Sequence, residues 1–158
     1  MVDRTACLLC FYCGPFVVQN IDYRDWESLM RMILPSLKER RAVDRLLSAF
    51  FREYKPQDFK KAIAALSRFY HLKNPQVEWY EYIDWGKTAG KTYENGQVYL
   101  VHPENWKKGR KYNSERKWIN TVYHEMGHYV FWADAENKAD MFAFRMVRGL
   151  NNHKNNHR

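Results

Sequence analysis

Cysteine is scarce in this sequence, and the placement of the few that are present limits what they can do. Cys7, Cys10 and Cys13 fall in one short segment, and they are the chain's three cysteines. An odd number of closely spaced cysteines is a poor disulfide framework, which argues against a disulfide-stapled secreted domain. A CxxCxxC run can supply three thiolates to a metal, but no fourth ligand is evident. We interpret the three as buried or partly exposed thiols in a reducing, cytoplasmic compartment.

The sequence also lacks an apolar run long enough to cross a bilayer. The run 6–13 is followed at once by Gly14-Pro15. Because a transmembrane helix needs about 20 apolar residues, we expect no membrane span. The run resembles a weak signal peptide, and so leaves secretion open, but the Gly-Pro break and the missing Ala-x-Ala cleavage site argue against this interpretation.

Glycine and proline are few, at seven and five residues, and no clear linker or internal repeat divides the chain. At 158 residues, 46% of them apolar, we expect a single domain over 1–150 and a disordered basic tail over 151–158.

Acidic residues number 18 against 26 lysines and arginines, which gives a net charge of +8. This excess favours acidic partners such as nucleic acid. No nucleic-acid motif accompanies it, and a lysine-rich solvated surface explains it as well.

Apolar residues recur at helical spacing in the N-terminal part of the chain. The pattern predicts helices over 22–34, 36–54 and 58–72, which prolines separate. The helical N-terminal part thus spans about 22–72. We expect His71, at the end of the third helix, to be a surface or C-terminal cap residue.

After residue 75 the period of the pattern changes. Residues 77–83 alternate as in a strand, and Asn95-Gly96 predicts a hairpin between 91–94 and 97–101. We therefore expect a small, mainly antiparallel sheet over about 76–101. An exposed edge strand can pair with an extended peptide, and 91–94 is our candidate for that edge.

One motif carries chemistry, and it is the HExxH sequence at 124–128. Asn113 or Ser114 is expected to cap a helix that runs to about Phe131. Residues four apart share a helical face, so the two imidazoles can bind one metal ion. Glu125 lies one step round the helix, where it can take a proton from a water that the metal has made acidic. The alternative is a pair of satisfied histidines on a packed helix.

Two carboxylates follow the motif. A helix from about Ala135 to Leu150, with Asp134 as its N-cap, puts Glu136 and Asp140 on one face. Glu136 can then complete a zinc site of two histidines and one carboxylate that keeps a fourth position open. Asp140 can accept the other ring N–H of a ligand histidine and fix its tautomer. Asp134 and Asp140 are the alternatives for the third ligand.

Packing on these two helices can also be predicted. Gly127 costs about 1 kcal/mol in a helix interior relative to alanine, which indicates that another backbone passes close to it. On the last helix we expect Met141, Phe142, Phe144 and Val147 to pack inward and Gly149 to end the helix.

HExxH followed by ExxxD on the next helix resembles the gluzincin metallopeptidases, in particular the minigluzincins and the ImmA/IrrE group of small zinc proteases. The resemblance covers about 118–147. It implies a zincin-like α+β domain whose metal helices span about 114–150 and which binds Zn2+. By this resemblance the ligands are His124, His128 and Glu136, and the general base is Glu125. Asp140 would bind the ring nitrogen of His124 that does not coordinate the metal.

We therefore expect a zinc-dependent endopeptidase that hydrolyses peptide bonds of a peptide or protein substrate. His102 and Tyr112 are candidates for stabilising the oxyanion of the tetrahedral intermediate. The alternative function is a non-catalytic zincin-like module that uses its basic surface to hold nucleic acid or a protein partner. A third is a helical interaction protein without a metal. Glu125 favours the enzyme, since a purely structural metal site needs no base.

Overall fold

A computed structural model describes residues 32–83, 89–108, 114–131 and 136–150. Within these residues the chain has five α-helices and three β-strands, namely α1 (Leu37–Glu53), α2 (Pro56–Phe69), β1 (Gln76–Tyr80), β2 (Gly90–Thr92), β3 (Gln97–Val101), α3 (Pro103–Lys108), α4 (Glu115–Phe131) and α5 (Glu136–Val147). The predicted α+β class is confirmed. The three cysteines, most of the predicted helix 22–34, Asp134 and the tail lie outside the described residues.

The two N-terminal helices form where the apolar pattern predicts them. α1 begins after Ser36, whose hydroxyl accepts the N–H of Glu39 while the Glu39 carboxylate accepts the N–H of Ser36. This reciprocal pair is a capping box. α2 begins at Pro56, earlier than predicted, because proline fits a first turn whose N–H groups need no partner. His71, past the end of α2, is exposed, as predicted.

The sheet has the strand order β1-β3-β2 and is mixed. β2 and β3 form the predicted antiparallel hairpin, with Gly96 at φ +86 in the turn. β1 pairs with β3 in parallel, from Gln76 opposite Gln97 to Tyr80 opposite Val101. The prediction of a mainly antiparallel sheet is therefore wrong. The Asn-Gly signal fixes only the β2–β3 pair, and β1 and β2 lie at opposite edges of the described sheet.

One face of the sheet packs against the helices. Val98 and Leu100 of β3 are each 1% exposed, and Trp118 of α4 donates its indole N–H to the carbonyl of Val101 at 3.0 Å. These two strand residues belong to one core with residues of the helices. The helical members include Leu47, Phe50, Leu66, Trp118, Val122, Met126 and Phe142. In the described part of the chain, no helix has both the length and the apolarity that crossing a bilayer requires.

The segment after β3 contains the short helix α3. His102 precedes this helix, and its Nδ1 accepts the N–H of Glu104 at 3.2 Å. Its ring packs against those of Phe50, Tyr54 and Trp79, and burial lowers its pKa. These are the contacts of a packed residue. Tyr112, the other oxyanion candidate, lies outside the described residues.

Polar side chains join α1 to α4. Asp44 of α1 accepts hydrogen bonds from the guanidinium of Arg116 at 2.7 Å and from the hydroxyl of Tyr123 at 3.1 Å. Burial raises the pKa of Asp44, and the charge of Arg116 opposes this effect. Glu115, in the first turn of α4, pairs with Arg52 at 3.0 Å. These contacts hold α1 along the N-terminal half of α4.

α1 also holds the end of α5. The guanidinium of Arg40 donates to the carbonyls of Arg145 at 2.7 Å, Met146 at 3.2 Å and Arg148 at 2.8 Å. These carbonyls belong to the end of the helix, where intrahelical donors run out. Gly149, at φ +82, stops the helix as predicted.

The inward face of α5 differs in part from the prediction. Phe142 is buried as predicted, whereas Met141 and Val147 are only partly buried against the core. The buried residues of the helix are Ala139, Phe142, Ala143 and Met146, which follow the i, i+3, i+4, i+7 spacing of a helical face. Phe144 falls off that face and is 43% exposed. The prediction that Phe144 packs inward is therefore wrong.

We predict that Arg40→Met lowers the free energy of unfolding by about 2 kcal/mol, because hydrogen bonds from a charged donor to otherwise unpaired carbonyls contribute about 1.5 to 3 kcal/mol. Urea denaturation measures this change. Arg45→Met, at an exposed position of the same helix, is the matched control and should change stability by less than about 0.5 kcal/mol. Equal stability of the two variants would contradict the prediction.

Candidate metal centre

The helix that carries the HExxH motif begins as the sequence predicts. The carbonyl of Ser114 accepts the N–H of Trp118 at 3.2 Å, and its hydroxyl accepts the N–H of Lys117 at 3.3 Å. Ser114 is thus the cap of α4. The helix continues to Phe131, so both histidines lie in its C-terminal half.

α4 and α5 lie close together at Gly127. A Cβ placed on Gly127 would lie 2.9 Å from the Cα of Ala139 and 3.2 Å from the Cβ of Phe142. The close backbone predicted from the glycine is therefore that of the second helix. Because Ala139 is flanked by Glu136 and Asp140 on α5, this contact brings both carboxylates to the histidine face of α4.

The predicted ligand atoms converge. The Nε2 atoms of His124 and His128 are 3.0 Å apart, and the Glu136 carboxylate lies 3.1 Å from the former and 3.3 Å from the latter. One ligand atom from each of the three residues lies within 4.8 Å of the others, and the group could hold a metal ion. The two imidazoles are 11% and 10% exposed and the Glu136 side chain 35%, so the site opens on the side of Glu136.

Asp140 lies behind His124. Its Oδ1 is 2.8 Å from the Nδ1 of His124, the ring nitrogen that does not face the ligand group. A proton donated from Nδ1 to Asp140 leaves the Nε2 lone pair directed at His128 and Glu136. Asp140 therefore occupies the predicted place of a partner that fixes the tautomer, and not that of the third ligand.

The donor set and its spacing fit a divalent ion. Ligand atoms about 2.0 to 2.1 Å from a tetrahedral zinc ion are about 3.3 Å from one another, and the three separations in the group are 3.0, 3.1 and 3.3 Å. Two imidazole lone pairs and a carboxylate crowded at such distances repel one another unless a cation or a proton lies between them. Two nitrogens and one carboxylate oxygen are ligands that zinc accepts.

Glu125 points to the strand β2, which also packs against α4. It is 1% exposed, and its Oε2 accepts a hydrogen bond from the hydroxyl of Thr92 at 2.6 Å. Burial raises its pKa, whereas the nearby charges of His124 and His128 and the bond from Thr92 lower it. The charges of both histidines therefore favour the ionised form of this carboxylate.

Sequence analysis missed the two β2 residues that contact Glu125. They are Gly90 and Thr92, and a Cβ on Gly90 would lie 2.6 Å from the Cγ of Glu125. One signal was present, since a glycine inside a strand often marks the close approach of another group. A strand of three residues is too short for its alternation to show which side faces the motif.

Comparison with known proteins does not identify this chain. No family model, no curated protein and no solved structure matches it. A functional assignment therefore depends on the geometry of the ligand group and of Glu125.

We predict that Gly127→Ala weakens the metal centre, although alanine is the better helix former. The added methyl group meets the backbone of Ala139, and overpacking of this kind costs about 1 to 3 kcal/mol, more than the gain in helix propensity. Unfolding should occur at lower denaturant concentration and zinc should bind more weakly in a competition titration. Thr121→Ala on the same helix is the control. Unchanged zinc affinity in Gly127→Ala would show that the helix spacing does not set the site.

We further predict that Asp140→Ala lowers zinc affinity roughly 10- to 100-fold, the usual effect of removing a carboxylate that orients a ligand histidine. Competition with a chromogenic chelator measures this. Glu94→Ala removes a negative charge from an exposed hairpin position and controls for net charge. Equal affinities of the two variants would contradict a role of Asp140 in orienting His124.

Proposed function

We propose that this chain is a zinc-dependent endopeptidase with a zincin-like domain of the gluzincin type. One observation carries the proposal: the Nε2 atoms of His124 and His128 and the carboxylate of Glu136 converge. The next residue after His124, Glu125, has a buried carboxylate. Three protein ligands are the number that catalytic zinc sites use, since a fourth position is needed for water or substrate. A structural site would close that position with a fourth side chain.

The residues divide the work of peptide hydrolysis among them. His124, His128 and Glu136 would hold the ion, with Asp140 keeping the His124 ring in place. Zinc bound in such a site supplies Lewis acidity, which polarises a carbonyl and makes water acidic near neutral pH. Glu125 takes the proton from the attacking water and then delivers it to the nitrogen of the leaving amine.

The position of β2 supports a peptide as the substrate. β2 is at an edge of the sheet in the described part of the chain, as expected for 91–94, and its Thr92 contacts the proposed base. An extended peptide that adds to such an edge forms main-chain hydrogen bonds along it. A peptide bound in this way would pass beside Glu125, which is where the scissile carbonyl has to lie.

We predict that Glu125→Gln lowers kcat at least 100-fold and leaves about one zinc ion per chain. General-base catalysis contributes about 10²- to 10⁴-fold, and Glu125 is not among the ligands. Elemental analysis and cleavage of a peptide library, with and without a chelator, measure both quantities. Glu81→Gln, at an exposed position just after β1, is the control and should cleave as the parent does.

Three other results would overturn the proposal. Cleavage by Glu125→Gln at the parent's rate would exclude the mechanism. A zinc-loaded parent that cleaves nothing but binds DNA in a salt-sensitive manner would identify a binding module. A chain purified without metal, and unable to take up zinc, would leave the histidines as core residues of an interaction protein.

A further inference from the structure

Two residues of β2 face α4 at Glu125: one is a glycine and the other has a hydroxyl. Gly90 and Thr92 are two positions apart, so they lie on the same face of the strand. Their partners across the hairpin, Leu100 and Val98, are both buried, which identifies this face as the one directed at the helices. We propose that Thr92 is a positioning residue for the Glu125 carboxylate and that Gly90 provides the space that the carboxylate occupies.

The hydrogen bond from Thr92 is directed at the reacting group. The Thr92 hydroxyl lies 2.6 Å from Oε2 of Glu125 and 3.1 Å from the carbonyl oxygen of the same residue. A hydroxyl has one proton to donate, and the carboxylate oxygen is both nearer and the stronger acceptor. The side chain of Thr92 therefore fixes one carboxylate oxygen against the sheet.

Gly90 leaves the space that the end of the Glu125 side chain occupies. A Cβ at Gly90 would lie 2.6 Å from Cγ, 2.9 Å from Oε1 and 3.0 Å from Cδ of Glu125. These atoms make up the end of the side chain, and at 1% exposure it has little room to retreat. Any residue larger than glycine at this position displaces the carboxylate.

Together the two contacts define a single position for a flexible group. A glutamate side chain has three rotatable bonds, and a base that is already oriented avoids ordering them during the reaction. This inference rests on the proposed hydrolysis for its catalytic meaning, whereas the contact between Thr92 and Glu125 can be tested without it.

The first experiment compares Thr92→Val with Thr92→Ser in the zinc-loaded protein. Valine has the shape of threonine without the hydroxyl, so kcat should fall roughly 10- to 100-fold, as it does when a partner that orients an active group is lost. KM should stay within about 2-fold and zinc content should stay at about one, because Thr92 is not a ligand. Serine keeps the hydroxyl and should restore most of kcat. Parent-like kcat in Thr92→Val, or loss of kcat in Thr92→Ser equal to that in the valine variant, would overturn the inference.

A matched control separates this effect from the general loss of a threonine hydroxyl. Thr121 of α4 donates its hydroxyl to the carbonyl of Lys117 at 3.1 Å. Thr121→Val makes the same chemical change one turn before Glu125. It should leave kcat close to that of the parent, and a fall equal to that in Thr92→Val would overturn the inference.

The second experiment needs no activity. Thr92→Val should lower the denaturation midpoint of the parent. The same change should have a smaller effect in a Glu125→Met background, which keeps the main-chain carbonyl of residue 125 but lacks the nearer carboxylate acceptor. Equal shifts in the two backgrounds would overturn the inference whether or not the protein hydrolyses peptides. Clear coupling in a parent that cleaves no peptide would overturn the proposed function instead, and would limit Thr92 to holding a carboxylate.

Gly90→Ala gives an independent check. The methyl group should displace Glu125, so kcat should fall at least as far as in Thr92→Val, with zinc content retained. In the Glu125→Gln background the alanine should cause little further loss, since the group it displaces no longer acts as a base. A full additional loss in that background would show that Gly90 acts through another residue.

Discussion

The structure depends on the close contact between α4 and α5 at Gly127. Two helices that carry ordinary side chains at their contact pack 8 to 10 Å apart, and a Cβ at Gly127 would meet the backbone of Ala139 at 2.9 Å. Removing that one Cβ lets the Glu136 carboxylate reach 3.1 Å from His124 and 3.3 Å from His128. The helix-propensity cost of the glycine is offset by packing that no other residue allows.

α4 presents two of its faces to two different neighbours. Successive residues are about 100° apart around a helix, so His124 and Glu125 point in different directions. The histidines face α5, which supplies Glu136 and Asp140, whereas Glu125 faces β2. The ligands and the proposed base are therefore held by separate parts of the fold. α1 braces both helices, through Asp44 to α4 and through Arg40 to α5.

Features set by nearby residues could be predicted from the sequence. The cap at Ser114, the hairpin at Asn95-Gly96 and the helix end at Gly149 depend on a few consecutive residues, and the structure has each of them. Helical spacing allowed Asp140 to pair with either ligand histidine, and the resemblance to the gluzincins implied His124, which is the residue it contacts. The direction of β1 and the contacts of β2 depend on tertiary packing between distant segments. No local pattern encodes them, and the contact of Thr92 with Glu125 could therefore not be predicted from the sequence.

The cost of the residues around Glu125 is itself an argument about function. A buried carboxylate is unfavourable without compensation, and burial raises the pKa of Glu125; an apolar residue would serve a purely structural helix better. Gly90 and Gly127 also weaken the strand and the helix in which they lie. Proteins break local rules of stability mainly at functional sites. The proposed catalysis by Glu125 would account for the buried acid and for Gly90, which leaves room for it. A metal held only for folding would account for Gly127 alone.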